Sequence, residues 1–211
     1  MSIIVSYINN QRDKRIKGSF ILKYLEFEVK TKGRRKMTKY TVDNSHSHIG
    51  FQVKHMMVSK VKGSFESYTA EVEAADLSDL TTAKIGFTID VASINTKSED
   101  RDNHLKSPDF FDAEKYGEIT FQSTSVTGSG PNYEVTGDLT IKGMTKPVTF
   151  DVTYNGKGKN PWGVEVYGFE GEATINREDF GLTWNAALET GGVLVGKEIK
   201  IDLELEVNPQ A

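Results

Sequence analysis

The chain contains no cysteine. That excludes disulfide staples, thiolate metal sites and a cysteine nucleophile. It also lacks any apolar run near the ~18 residues that a membrane-spanning helix needs. Positive charge is not in excess: the formal net charge is −4, which argues against a broadly basic nucleic-acid surface. No internal repeat or low-complexity tract is present. There is no Gly-x-Ser-x-Gly nucleophile elbow to support a Ser-His-Asp hydrolase. The glycine-rich stretch Thr190–Gly196 is not followed by Lys-Ser/Thr and is no phosphate loop.

The charge is unevenly spread. Residues 1–36 hold ten Lys/Arg and three Asp/Glu, net +7, whereas residues 37–211 hold 16 and 27, net −11. The first stretch fails as a signal peptide, because its short apolar piece, Ile3–Ile8, precedes the charges and no small-residue cleavage site follows. Phe20, Ile21, Leu22, Tyr24, Leu25 and Phe27 are unusual in a solvated basic arm. Lys32-Gly33-Arg34-Arg35-Lys36 can be encoded almost wholly by purines, as a translated ribosome-binding site before Met37 would be. Residues 1–36 are therefore expected to be a non-native extension or a disordered basic tail, and residues 37–211 the folded domain.

In residues 37–211 apolar side chains recur with period two. Ile199, Ile201, Leu203, Leu205 and Val207 alternate with Lys200, Asp202, Glu204 and Glu206, the pattern of a strand with one wet face. Ile85, Phe87, Ile89 and Val91 repeat it. Further β-rich windows are Ile49–Val53, Val61–Ala74, Glu118–Val126, Tyr133–Ile141, Val148–Tyr154 and Val164–Ile175. Short turn signals between them, such as Gly128–Asn132 and Lys142–Pro147, predict antiparallel hairpins. About eight strands in meander order predict an all-β antiparallel barrel, which removes exposed sheet edges. One segment departs from this. Thr96-Lys97-Ser98-Glu99 reads as a capping box, and Ser107-Pro108-Asp109 as a second helix start, so a helical insert is predicted near residues 96–116.

The inward set predicted by alternation is apolar: Phe51, Phe65, Phe87, Ile89, Phe121, Leu139, Ile141, Phe150, Val152, Phe169, Ile175, Leu203 and Leu205. No line of charges shares that face. Such an interior is either a filled core or a tunnel for a hydrocarbon chain, and alternation alone does not choose between them. A tunnel would bind through burial at ~0.8 kcal/mol per CH₂, against the entropy of association.

Four blocks in order carry a resemblance. They are Asn44–His55 with Gly63-Ser64-Phe65, Ser93–Thr96 with Arg101–Asp112, Gly137–Val148, and Ile175–Gly181. Together they resemble the YceI family across nearly all of residues 40–207. The resemblance implies a lipocalin-like barrel that binds polyisoprenoids or similar long-chain lipids, with no catalytic mechanism, and it favours the tunnel. Many relatives carry a secretion signal that this sequence does not show, which points to a cytoplasmic, bacterial, non-enzymatic carrier needing no cofactor. Residues 1–36 match nothing in the family.

On this reading the cargo is lined by Phe51, Phe65, Phe87, Ile89, Phe121, Leu139, Ile141, Phe150, Phe169, Ile175, Trp184 and Leu203. His48, Arg101, His104 and Arg177 are the candidates for a head group. For Arg101 the preferred reading is an anchor for the insert, paired with a carboxylate, while Arg177 is equally a turn lock. His46 and His48, with His55 a few residues on and Asp43, could suggest zinc, but no matching third ligand is evident nearby, and a metal site is not expected. The rival reading is a filled-core module acting through its surface or as a homodimer.

Overall fold

The computed structural model describes residues 36–189 and 191–210. The expectation for residues 1–36 lies, but for Lys36, outside them. The strands are β1 (Thr38–Val42), β2 (His48–His55), β3 (Ser59–Phe65), β4 (Tyr68–Ala74), β5 (Lys84–Asp90), β6 (Ile94–Asn95), β7 (Glu118–Ser129), β8 (Asn132–Ile141), β9 (Met144–Lys159), β10 (Glu165–Asn176) and β11 (Val195–Pro209). One helix, α1 (Glu99–Lys106), lies between β6 and β7.

All pairings are antiparallel, and the sheet closes on itself. β11 pairs with β10 on one side. On the other it pairs with β2 over Val195–Glu204 and with β1 over Val207–Pro209. β1 and β2 are thus two halves of one interrupted stave, as are β3 and β4, which pair back onto them. β5 and β6 continue the ring against β4 and β3. The result is a closed eight-strand meander barrel. Closure leaves few strand edges unpaired among the described residues, chiefly along β3 and the two-residue β6.

Sequence alternation located the strands but not their ends. β9 begins at Met144 and runs through Pro147, which the turn prediction had kept outside it. A proline is tolerated there because β10 begins pairing with β9 only at Asp151, so no ladder acceptor waits for the missing N–H. The short strands β1 and β6 were not anticipated. The helical insert is shorter than predicted. Thr96 and Glu99 do not form a capping box: Ser98 is the N-cap, and the Thr96 amide and hydroxyl donate instead to Asp102 Oδ1, at 2.9 and 2.5 Å. The second predicted helix is a series of turns. Ser107 Oγ closes α1 by donating to the His104 carbonyl at 2.7 Å, and Asp112, at φ 54°, turns the chain away.

Strand direction defines two barrel ends. One carries the β2–β3 turn, the α1 insert, the Lys142-Gly143 turn and the β10–β11 loop. The other carries the β4–β5 connection, the β7–β8 turn and the β9–β10 loop. That second end is plugged by Leu77 and Leu80, which join Tyr40, Val72, Tyr133, Tyr167, Phe169 and Val207 in a buried cluster. Leu80 opens the single 3₁₀ turn Leu80–Thr82, capped by Asp79 accepting from the Thr81 amide, and Leu77 lies in the turn before it.

Candidate functional site: an apolar cavity with one buried arginine

The barrel interior holds a cavity of about 210 Å³. One water requires roughly 10–15 Å³ on the same measure, so the filled-core alternative is corrected: the inward side chains line a space rather than fill it. Geometry explains why. Phe121 and Phe150 meet edge to face at 5.2 Å between centroids on neighbouring walls. Phe51 and Phe65 pack at 5.7 Å, and Phe65 reaches Phe111 of the insert at 6.3 Å. These clusters thicken the walls but do not span the lumen.

Eleven of the twelve residues expected to line the cargo do border the cavity: Phe51, Phe65, Phe87, Ile89, Phe121, Leu139, Ile141, Phe150, Phe169, Ile175 and Leu203. Each lies on a strand, where the side chain's direction follows from period two. The twelfth, Trp184, does not. It sits in the β10–β11 loop, outside any alternation, and covers Phe110 from without, at 5.2 Å between rings. Phe110 and Phe111 border the cavity themselves, as do Leu105 and Leu182. These four come from the insert and the loop, and no period marked them. The short apolar pair Phe110-Phe111 was the available signal.

Of the head-group candidates, the structure brings only Arg177 to the cavity. His48 lies on the outer wall, because it alternates with inward Ile49 and is exposed. Arg101 is an anchor: its Nε donates to Thr96 Oγ1 at 2.8 Å and its Nη2 to the Thr96 carbonyl at 2.7 Å. His104 is held on the outside of the insert, at 3.0 Å from Asp109 Oδ2 and edge-on to Trp184 at 4.8 Å. Strand alternation decides the position of His48 and local bonding those of Arg101 and His104, and residue type alone did not show it.

Arg177 is 2% exposed. It opens the 3₁₀ turn Arg177–Phe180, whose Glu178 amide donates to Asn176 Oδ1. Its Nε donates to the Gly196 carbonyl at 2.9 Å, and its Nη1 donates to the Leu182 carbonyl. Its Nη2 is buried without a partner. Burial lowers the pKa of the guanidinium, and the charge of Glu178 opposes that shift. Glu178 itself bonds Lys197 at 2.8 Å. The cavity wall is therefore hydrocarbon throughout, apart from a cation with one donor unused. A buried guanidinium nitrogen without an acceptor is costly, and an anion within reach of Nη2 would relieve it.

His46 and Asp43 meet a third group from the far end of the chain, Glu206, with ligand atoms within 4.8 Å of one another. His48 takes no part in that cluster.

Residues 40–207 match the family described as YceI-like domain. A UPF0312 protein of Staphylococcus aureus is 52% identical over 171 residues, covering 81% of this chain and 97% of that protein. Among solved structures, BcnA of Burkholderia cenocepacia superimposes with a TM-score of 0.68 at 30% identity, covering 78% of this chain and 98% of that one. A Campylobacter jejuni YCEI protein gives 0.65 at 33% identity, over 75% and 90%. A polyisoprenoid binding domain of Saccharophagus degradans shares the fold at 13% identity and a TM-score of 0.59, over 81% and 98%.

Proposed function

This chain belongs to the YceI-like domain family, and from that premise we propose that its barrel sequesters or carries one long-chain amphiphile, an isoprenoid lipid or quinone-type molecule, without acting on it chemically. The hydrocarbon chain lies along the apolar lumen. An oxygen-rich head group faces Arg177. The observation that carries this reading is the unpartnered Nη2 of a buried arginine in a cavity otherwise lined by hydrocarbon. Chain burial at ~0.8 kcal/mol per CH₂ supplies affinity, and the guanidinium supplies polarity and orientation. The Saccharophagus domain described as polyisoprenoid binding shares the barrel, which supports the cargo class at the level of the fold.

Native mass spectrometry of gently purified protein tests this directly. A co-purified lipid, displaced by a prenyl phosphate, is the expected result. Protein that is repeatedly lipid-free and takes up neither prenyl phosphate nor prenyl alcohol overturns the proposal.

A further inference from the structure

The β2–β3 hairpin turns through Met56 and Met57, and the Val58 amide donates back to the His55 carbonyl at 3.2 Å. Both methionines have positive φ, 52° and 61°. A hairpin turn of that handedness ordinarily recruits Asn and Gly, because a larger side chain crowds the neighbouring carbonyl there. Here the strained positions hold apolar side chains with little cover. Met56, Met57 and Val58 are 43%, 60% and 84% exposed. The Met56 amide donates to the Leu194 carbonyl at 2.8 Å, which ties the tip to the loop carrying Val193, itself 38% exposed. This apolar ridge stands at the barrel end where Arg177, Leu182 and Val195 border the cavity.

Directly behind the tip, Lys54 and Lys60 face each other across the hairpin, and Lys62 follows opposite Gln52. Among the described residues, none of the three lysines is in an ion pair. On a chain of net charge −4 this is a local reversal of sign. An apolar wedge backed by unpaired cations matches an anionic bilayer, which offers hydrocarbon beneath a layer of phosphate.

We propose that the β2–β3 tip docks on an anionic lipid bilayer. Met56, Met57 and Val58 enter between head groups, and Lys54, Lys60 and Lys62 rest at phosphate level. Methionine's flexible, polarizable side chain suits an irregular partner of this kind. The inference rests on the amphiphile-carrier reading, since such a cargo resides in bilayers and must pass from one into the cavity.

Flotation of the full chain with phosphatidylcholine vesicles, with and without phosphatidylglycerol, is the test. Wild-type protein is expected to float with the anionic vesicles and to be released by salt. The double variant Met57→Glu/Val58→Glu, with unchanged thermal unfolding, should lose binding about tenfold or more. Each Lys→Gln change among the three should weaken it roughly fivefold. Trp162→Ala, at the opposite end, should change nothing. Retained binding in the double variant, or wild-type protein that ignores anionic vesicles at low salt, overturns the proposal. Uptake of detergent-dispersed prenyl phosphate separates the two readings. The double variant should load as the wild type does, while protein that floats but never loads defeats the carrier reading and leaves the docking in place.

Discussion

Arg177 Nε lies 2.9 Å from the Gly196 carbonyl, so the end of β10 is tied to the start of β11 by one side chain that also faces the lumen. The same residue therefore locks a loop and borders the cavity. Arg177→Met should lower stability by about 1–3 kcal/mol, because two carbonyl acceptors are left unpaired while the cost of burying a charge is relieved. A urea midpoint measures this. The variant should lose affinity for prenyl phosphate by a larger factor than for prenyl alcohol. Equal losses for the two probes would assign Arg177 to the loop alone.

Space in the lumen and tightness in the wall predict opposite outcomes for two substitutions. Ile201→Trp enlarges a side chain that borders the cavity. It should abolish cargo uptake while changing stability by less than about 1 kcal/mol. Gly137→Ala adds a single methyl that would meet Phe121 Cζ at 2.4 Å and the Gln122 carbonyl at 2.5 Å. That smaller change should cost about 1–3 kcal/mol. Denaturant unfolding of both variants, paired with prenyl-probe binding, checks the contrast.

Thr96 is buried and sits between Asp102 and Arg101, donating to the first and accepting from the second. Thr96→Val removes the hydroxyl and leaves the Arg101 and Asp102 side chains short of a partner. The expected loss is about 1–3 kcal/mol. Amide exchange should accelerate through residues 99–117 and stay unchanged in β8 and β9. Uniform acceleration would show that the insert does not open separately from the barrel.

The Asp43–His46 contact makes the turn before β2 sensitive to pH. Hydrogen bonds from Ser45 and His46 hold the Asp43 carboxyl down at about 2, and the Asp43 carboxylate raises the His46 pKa. Asp43's contribution is present above its ordinary value of 3.8 and is lost as pH falls toward about 2. His46's contribution is present below 6.5 and is lost as pH rises through its elevated pKa. The turn is thus best held between roughly pH 4 and 6.5. Asp43→Asn should return the His46 titration, followed by NMR, toward 6.5. An unchanged midpoint would remove the coupling.

Period-two alternation in β5, β7, β8, β10 and β11 was enough to place Phe87, Phe121, Leu139, Phe169 and Leu203 on one face, since a strand leaves a side chain only two directions. The meander of short turns was enough to imply closure. The polar candidates were less legible than the apolar wall. His48, Arg101, His104 and Arg177 are all plausible polar contacts by type, yet one stands outside the wall, two brace the insert and one borders the lumen. Trp184 failed as a lining residue because a loop has no period to fix its direction.

By itself the sequence determined which face of each strand is apolar, because hydrophobic patterning and side-chain direction are both local. Only the tertiary structure decided that this face surrounds empty space and that Glu206 joins Asp43 and His46. It alone showed that Arg177 keeps an unused donor inside the barrel. Each of those depends on how distant segments meet when the ring closes, and volume and hydrogen-bond satisfaction are properties of that closure, not of any one strand.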